Sequence, residues 1–331
     1  MRNAKQCMIR RHCASAGAAL ALVPLVAFSA AAGNYPDRPI RFIVPFVAGA
    51  GTDMTARAVA QKLGDNLGHQ VVVDNRPGAA GMIGNNFVAR SAPDGYTLVL
   101  SSLDTLSIIP HINKKPLYDS LTDFSPVLMF ASAPNLLVVH PSVPARSVRE
   151  LIALAKSHPG QLNFASNGFG TLSHLTGELF KLQAGITIVH VPYNGGPPAV
   201  LGVLTGQASM LFASIPTTLP QVKAGRLRAL AVGNPTRVDT VKELPPIAET
   251  LPGFESVQRW AILGPVGIAP DVVAKLNRDF TAALNDDDVK ASFAAQGAKG
   301  LGGTPAELAA FMKADYDKWG KVVRDAGIRP E

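Results

Sequence analysis

Three observations predict an α/β fold built from two similar units. Short runs of aliphatic residues alternate with longer amphipathic segments. A turn rich in glycine or hydroxyl residues recurs between a strand and the helix that follows it. The whole pattern then restarts near the middle of the chain. Such alternation predicts a mostly parallel sheet with helices on both faces. Hydrophobic residues make up 47% of the 331 positions and charged residues 17%, enough for a core and too apolar for global disorder. The length suits one large domain or two of about 150 residues each.

The N-terminus reads as a signal peptide over residues 1–32. Arg2, Lys5, Arg10 and Arg11 form a basic start without acids, the largely apolar run Ala18 to Ala32 follows, and small residues such as Ala30-Ala31-Ala32 offer cleavage sites. The run is shorter than the roughly 20 residues of a membrane span. An uncleaved anchor is the alternative; the residues around Arg10-Arg11 do not support a twin-arginine signal. Without this segment the formal charge falls from +7 to +3, a balance that does not indicate nucleic-acid binding. Both cysteines, Cys7 and Cys13, lie in it, so the mature chain has no disulfide, thiol nucleophile or cysteine metal site. Neither cysteine ends the apolar run, which argues against a lipoprotein anchor. A soluble, periplasmic, cysteine-free protein is expected.

In order, Pro39–Pro45 predicts the first strand, and Gly49-Ala50-Gly51-Thr52-Asp53 a turn. A helix over Met54–Leu67 follows, with Thr52 or Asp53 placed to cap it. Strands are predicted at Gln70–Asp74 and Tyr96–Ser101, with a helix over Gly81–Ser91 between them. The second unit has strands at Leu136–His140, Asn163–Ser166, Ile186–Val191, Ala208–Phe212 and Leu227–Val232. Its helices are Ser147–Ser157, opened by a Ser-Val-Arg-Glu capping box, Thr171–Ala184 and Pro197–Thr205. Pro126–Ala131 and Trp260–Pro265 read as apolar connections between the units. The tail, with helices over Asp271–Asn285, Asp288–Gln296 and Pro305–Ala326, is expected to pack on the first unit. This organisation divides the chain into a signal peptide (1–32), a first domain (33–130 plus 260–331) and a second domain (131–259).

The chemistry lies in the recurring turns: Ala48-Gly49-Ala50-Gly51-Thr52-Asp53, Ser101-Ser102-Leu103-Asp104-Thr105, Ser166 to Ser173, and Tyr193-Asn194-Gly195-Gly196. In an open α/β sheet such turns sit at the C-terminal strand ends, where ligands bind. A helix N-terminus there offers free N–H groups and the positive end of the dipole to an anion. Any one turn is equally an ordinary capped connection; four of them on two units point to a shared cleft. Hydroxyls at Thr52, Ser102, Thr171 and Ser173 add donors.

Enzyme signatures are poor. The chain has no Gly-x-Ser-x-Gly elbow and no phosphate-binding P-loop. Gly168-Phe169-Gly170 starts like a dinucleotide turn but has Ser173 where the third glycine belongs. Histidines 69, 111, 140, 158, 174 and 190 form no metal-ligand pair. His174, one turn into a helix beside the cleft, is a ligand contact or a core histidine. Asp286-Asp287-Asp288 is better read as dipole complementarity at a helix start than as a cation site. No cofactor and no metal are expected.

The sequence resembles the extracytoplasmic solute receptors of tripartite tricarboxylate transporters, also called the Bug (Bordetella uptake gene) family. The matching segments, in order, are YPDRPIRFIVPFVAGAGTD (35–53), VVVDNRPGAAGMIG (71–84), APDGYTLVL (92–100), SHLTGELFK (173–181), IVHVPYNGG (188–196) and LPQVKAGRLRALAV (219–232). Together they cover nearly the whole mature chain. The resemblance implies a two-domain, type II Venus-flytrap periplasmic binding protein, each domain a mixed sheet flanked by helices. It implies no catalysis, and a small carboxylate held mainly by backbone amides and hydroxyls of two facing turns. Positions 48–53 match the family's first carboxylate-binding turn, and 166–173 match the turn facing it. Tyr193 matches a Val-Pro-Tyr segment on the cleft wall.

Asn194 stands where the family usually has Lys, and Phe212-Ala213-Ser214 where it often has Phe-Asp-Asn. Losing the acid at Ala213 disfavours an amino-acid ligand at that end. Leu103 and Leu106 are expected to admit an apolar or aromatic body, while Asp104 opposes this if it faces the cleft. The ligand site is thus expected at Ala48, Gly49, Ala50, Gly51, Thr52, Asp53, Ser102, Asp104, Ser166, Asn167, Gly168, Gly170, Thr171, Ser173, His174, Tyr193 and Ala213.

The function expected is capture of a small organic carboxylate by hinge closure and delivery to separately encoded membrane permease subunits. A monomer is expected. Rival readings are a receptor that presents ligand to a sensor kinase, an exported hydrolase, and the effector domain of a transcription regulator. The signal peptide and the lack of a helix-turn-helix segment oppose the last.

Overall fold

The computed structural model describes residues 35–330; the segment read as a signal peptide lies outside the described residues. The first half of the chain runs β1 (Ile40–Val44), α1 (Gly51–Leu67), β2 (Val71–Asn75), α2 (Met82–Ala89), β3 (Thr97–Ser102), α3 (Leu103–Ser107), α4 (Ile109–Ile112) and β4 (Phe124–Val139). Then come α5 (Val148–Ser157), β5 (Asn163–Ser166), α6 (Leu172–Ala184), β6 (Val189–Pro192), α7 (Gly196–Leu204), β7 (Met210–Ser214), α8 (Ile215–Lys223) and β8 (Arg228–Val232). The chain closes with β9 (Val257–Pro265), α9 (Pro270–Leu284), α10 (Asp287–Ala295), β10 (Lys299–Gly302) and α11 (Pro305–Asp325).

The α/β expectation holds, and the sheet is mixed, as the family resemblance implies, rather than mostly parallel, as the alternation of strands and helices alone predicts. Its order is β2-β1-β3-β9-β4-β7-β5-β6, with β8 and β10 also on β4. The outer strands are parallel: β2, β1 and β3 at one end, β7, β5 and β6 at the other. Between them β9 runs antiparallel to β3 and β4, and β4 antiparallel to β7 and β8. The long strands β4 and β9 flank α5–α8 in the chain and pair with opposed directions.

Strand β4 joins the two halves. It pairs with β9 over Phe124–Pro134 and with β7 and β8 over Leu136–Val139, with Asn135 opposite Ser214. Pro126–Ala131 and Trp260–Pro265 do lead the chain into and out of the second half, and they do so as stretches of the long strands β4 and β9. Pro126 obscured the strand because proline cannot donate to a ladder, and it sits where the β4–β9 register shifts. The apolar cores follow the same division. Phe42, Phe130, Phe280 and Phe293 pack with the aliphatic residues of β1, β3 and β9. Phe164, Phe180, Phe212 and Phe254 fill the other half. The tail does not pack on the first half alone. Leu308 and Met312 of α11 join the core around Ile43, Val88 and Val99, whereas Trp319, Val322 and Val323 join the core of the second half.

Local chemistry explains the other departures. Helix α1 starts at Gly51, with Ala50 at the N-cap and no side-chain cap, so neither Thr52 nor Asp53 caps it. The glycines before it have low helix propensity, which moved the predicted start later. Helix α8 was missed because Pro220 interrupts its apolar period, although Pro216 fits the first turn. Strand β10, Lys-Gly-Leu-Gly, carries almost no strand propensity. The Ser147 hydroxyl accepts from Glu150 N, but the Glu150 carboxylate takes the Arg146 N–H (2.7 Å), one residue before the cap. The reciprocal box is at Thr304 and Glu307.

Candidate functional site

A cleft of about 740 Å³ opens between the two halves of the sheet. The starts of five helices line it: Ala50, Gly51 and Thr52 of α1, Ala80 and Gly81 before α2, Thr171, Leu172 and Ser173 of α6, Gly196 of α7, and Ser214 and Thr217 of α8. The first N–H groups of a helix have no partner within it. Their convergence makes the cleft a positive-end environment. Among the described residues no Lys, Arg or His lines it, and Asp104 is its single acidic side chain.

The β1–α1 loop is shaped from behind by Asp53, which is 1% exposed. Its carboxylate accepts from Gly49 N (2.8 Å), Arg57 Nε (3.0 Å) and Asn75 Nδ2 (2.8 Å). Burial alone would raise its pKa, but these hydrogen bonds and the Arg57 charge outweigh it and hold the carboxyl below its usual range. Gly49 turns the chain at φ +81°, a left-handed conformation natural to glycine. Asp53 and Gly49 thus support the loop, and Ala50, Gly51 and Thr52 face the cleft.

The β5–α6 loop opposite is equally tied. Asn167 N donates to Ser173 Oγ (2.9 Å) and Thr171 Oγ1 to the Gly168 carbonyl (2.7 Å). Gly170 N donates to His174 Nδ1 (3.1 Å). His174 is buried and stacked on His190 at 3.9 Å between ring centroids. Burial pushes its pKa down to about 3, helped by the repulsion that protonating both stacked rings would bring and by the Lys181 charge; burial and Lys181 push His190 down to about 4. Both rings are therefore neutral supports. Asn167, Gly170, Thr171 and Ser173 reach the cleft, whereas Ser166, Gly168 and His174 stand behind it.

The floor is formed by Ser102, Asp104 and Thr105 with Gln258. Ser102 Oγ donates to Asp104 Oδ1, and Gln258 Nε2 donates to the same oxygen (2.5 Å) and to Ser102 Oγ (2.7 Å). Burial pushes the Asp104 carboxyl up, against the hydrogen bonds from Ser102 and Gln258 and with a further push from the Asp315 charge.

Ala213 lines the far wall beside Phe212. Tyr193 does not reach the cleft; its ring lies against Gly202 on α7. Ala48 is exposed beside the cleft without lining it. Leu103 and Leu106 are buried in the core with Val99 and Leu263, which overturns their expected role in admitting an aromatic body. Sequence reasoning missed Asn135, Gln258 and Trp260: Asn135 and Gln258 fall just outside the predicted strand and connecting stretches, and Trp260 opens a stretch read as a connection. It also missed Ala80 and Gly81. Their signal was the run Pro77-Gly78-Ala79-Ala80-Gly81, where Ala79 and Ala80 both hold positive φ and Thr105 Oγ1 bonds the Ala80 carbonyl (2.7 Å).

Residues 55–328 match the family described as tripartite tricarboxylate transporter family receptor. This chain belongs to that receptor family. Protein BugT of Bordetella pertussis is 39% identical over 310 residues, covering 92% of this chain and 94% of that protein. The structure of Rpa4515 from R. palustris with adipate is 34% identical, with a TM-score of 0.75, and covers 90% of this chain and 100% of that one. MatC (Rpa3494) from Rhodopseudomonas palustris with bound malate is 29% identical, with a TM-score of 0.71, over 87% of this chain and 100% of that one. The protein is a solute-binding receptor of a transporter, and its cleft lies between the halves of a curled mixed sheet. In this receptor Asp286 is a helix cap: it accepts from Asp288 N (3.0 Å) and Val289 N (3.3 Å) and pairs with Lys62 (2.6 Å). The described residues contain no group of three or more His, Cys, Asp or Glu side chains placed to hold a metal ion.

Proposed function

We propose that this receptor captures a small organic carboxylate between the β1–α1 and β5–α6 loops and hands it to membrane permease subunits encoded separately. The observation that carries this reading is the convergence of helix N-termini on a cleft without cationic side chains. Such an arrangement holds an anion through backbone N–H groups and dipoles. The adipate and malate in the related structures agree with a carboxylate ligand.

Closure would bring the lobes 33–130 plus 260–331 and 131–259 together by bending β4 and β9. The change of β4's partners at Pro134 and Asn135 supports a hinge there. Export would follow cleavage of the N-terminal signal, leaving a periplasmic monomer. No helix among the described residues is long and apolar enough to cross a membrane.

In this reading the cleft does no chemistry on its ligand. A Ser–His contact does exist, Ser166 Oγ to His190 Nε2 at 2.6 Å. Ser166 is fully buried behind the loop, and His190, held near pKa 4, is a poor base at neutral pH. A sensor-kinase partner would use the same closed form. The test is a thermal-shift screen of mature protein with carboxylates: stabilisation by one class of acid supports the receptor, and turnover of a bound ester would revive the hydrolase.

A further inference from the structure

We infer that Asp104 sets the ligand specificity of this cleft, selecting a carboxylate that also carries an N–H or O–H donor over one that carries none. This rests on the receptor reading above and deepens it.

The geometry of the floor carries the argument. The two side-chain donors beside Asp104, the Ser102 hydroxyl and the Gln258 amide, converge on one oxygen, Oδ1, and the residue's own backbone N–H also supports the carboxylate. Gln258 divides its N–H groups between Asp104 and Ser102, so neither has a donor left for a ligand. Oδ2 has no hydrogen-bond partner among the described side chains, and the cleft it shares holds no Lys, Arg or His to neutralise it. On the far side of the floor a small void brings Asp315 and Arg259 near Asp104. Arg259 is engaged by Glu255 there, and Asp315 adds negative charge. Burial and that charge push the Asp104 carboxyl up, against the hydrogen bonds from Ser102, its own backbone N–H and Gln258.

An acidic acceptor on a half-buried residue that lines a cleft discriminates strongly. A ligand bringing a hydroxyl or ammonium to Oδ2 satisfies it. A ligand bringing methylene desolvates it without replacement, and one bringing a second carboxylate adds repulsion. The anion cradle at α1 and α6 and the acceptor at Asp104 line the same cleft, so one molecule can meet both. The shared chemistry is the donor; a hydroxy acid and an amino acid both supply it.

The test is calorimetry on the mature protein at neutral pH with two matched triads: succinate, malate and aspartate, and glutarate, 2-hydroxyglutarate and glutamate. In the triad that binds, the hydroxy or amino acid should bind at least about tenfold tighter than the plain diacid. Asp104→Ala should bring the three acids within about threefold of one another. Asp104→Asn keeps an oxygen acceptor and removes the charge. It should retain a hydroxy-acid preference and abolish an amino-acid preference, which separates the two sources. A plain diacid binding as tightly as its substituted partners, or a preference unchanged in Asp104→Ala, overturns the proposal and leaves the receptor standing. So does a tight carboxylate ligand with no donor from the wider screen. If no carboxylate binds at all, the receptor reading falls first and this inference falls with it.

Discussion

Asn75 Nδ2 lies 2.8 Å from Asp53 Oδ1 and 3.1 Å from the Phe46 carbonyl, so one side chain at the end of β2 binds the β1–α1 loop to the helix it feeds. The loop's shape therefore depends on Asp53, which touches nothing in the cleft. Asp53→Ala removes the acceptor of the Gly49 N–H and one of the two acceptors of Arg57 and of Asn75. It should cost about 1–3 kcal/mol of stability and weaken ligand binding by about tenfold or more. Urea denaturation and calorimetry check both; unchanged affinity would show that the loop is held by other means.

Gly170 stands at φ +72° with a would-be Cβ only 2.2 Å from Ile112 Cδ1. Gly170→Ala should destabilise by about 1–3 kcal/mol and displace the Thr171 cap. Adding Ile112→Ala relieves the clash but not the backbone strain, so urea midpoints should recover only in part. Full recovery would place the whole cost in the clash.

The stacked histidines give a pH dependence with a definite sign. Both are neutral when folded, with pKa values pushed down to about 3 and about 4 by burial first, whereas an unfolded histidine titrates near 6.5. Between those values the unfolded chain binds more protons, so this part of the stability is complete above pH 6.5 and falls as pH is lowered towards 4. Near pH 5 each ring should cost on the order of 2 kcal/mol. His174→Gln, whose amide oxygen can still accept from Gly170 N, should flatten the slope of stability against pH. An equal slope in both proteins would contradict the assignment.

Trp260 lines the cleft on β9, whereas Trp319 is buried in α11 under Lys318. Ligand binding should therefore shift the Trp260 emission, and Trp260→Phe should abolish the shift while leaving Trp319 fluorescence. A shift that survives the substitution would move the ligand, or the closure, away from this wall.

The parts of the fold legible in the sequence were those whose local signals agree with their environment. Strand β5 appears at the predicted residues, and α6 begins one residue after Thr171, which caps it by accepting from His174 N. The cleft-lining starts of α1 and α6 were legible because glycine and hydroxyl residues mark them. The hinge was not. Prolines at 126 and 134 broke the strand pattern of β4, and the side chains it carries into the cleft with β9, Asn135, Gln258 and Trp260, come from residues distant in sequence. Tyr193 and His174 were placed on the right turns, but their facing depends on packing against α7 and His190, which no local pattern records.

The central claim is that backbone N–H groups at helix starts grip a ligand carboxylate. Its most direct test is a thermal-shift titration of residues 33–331 with carboxylic acids and with the methyl esters of the same acids. The account predicts that one class of free acid stabilises the protein and that its esters do not. Equal stabilisation by acid and ester, or none by any acid, would contradict it.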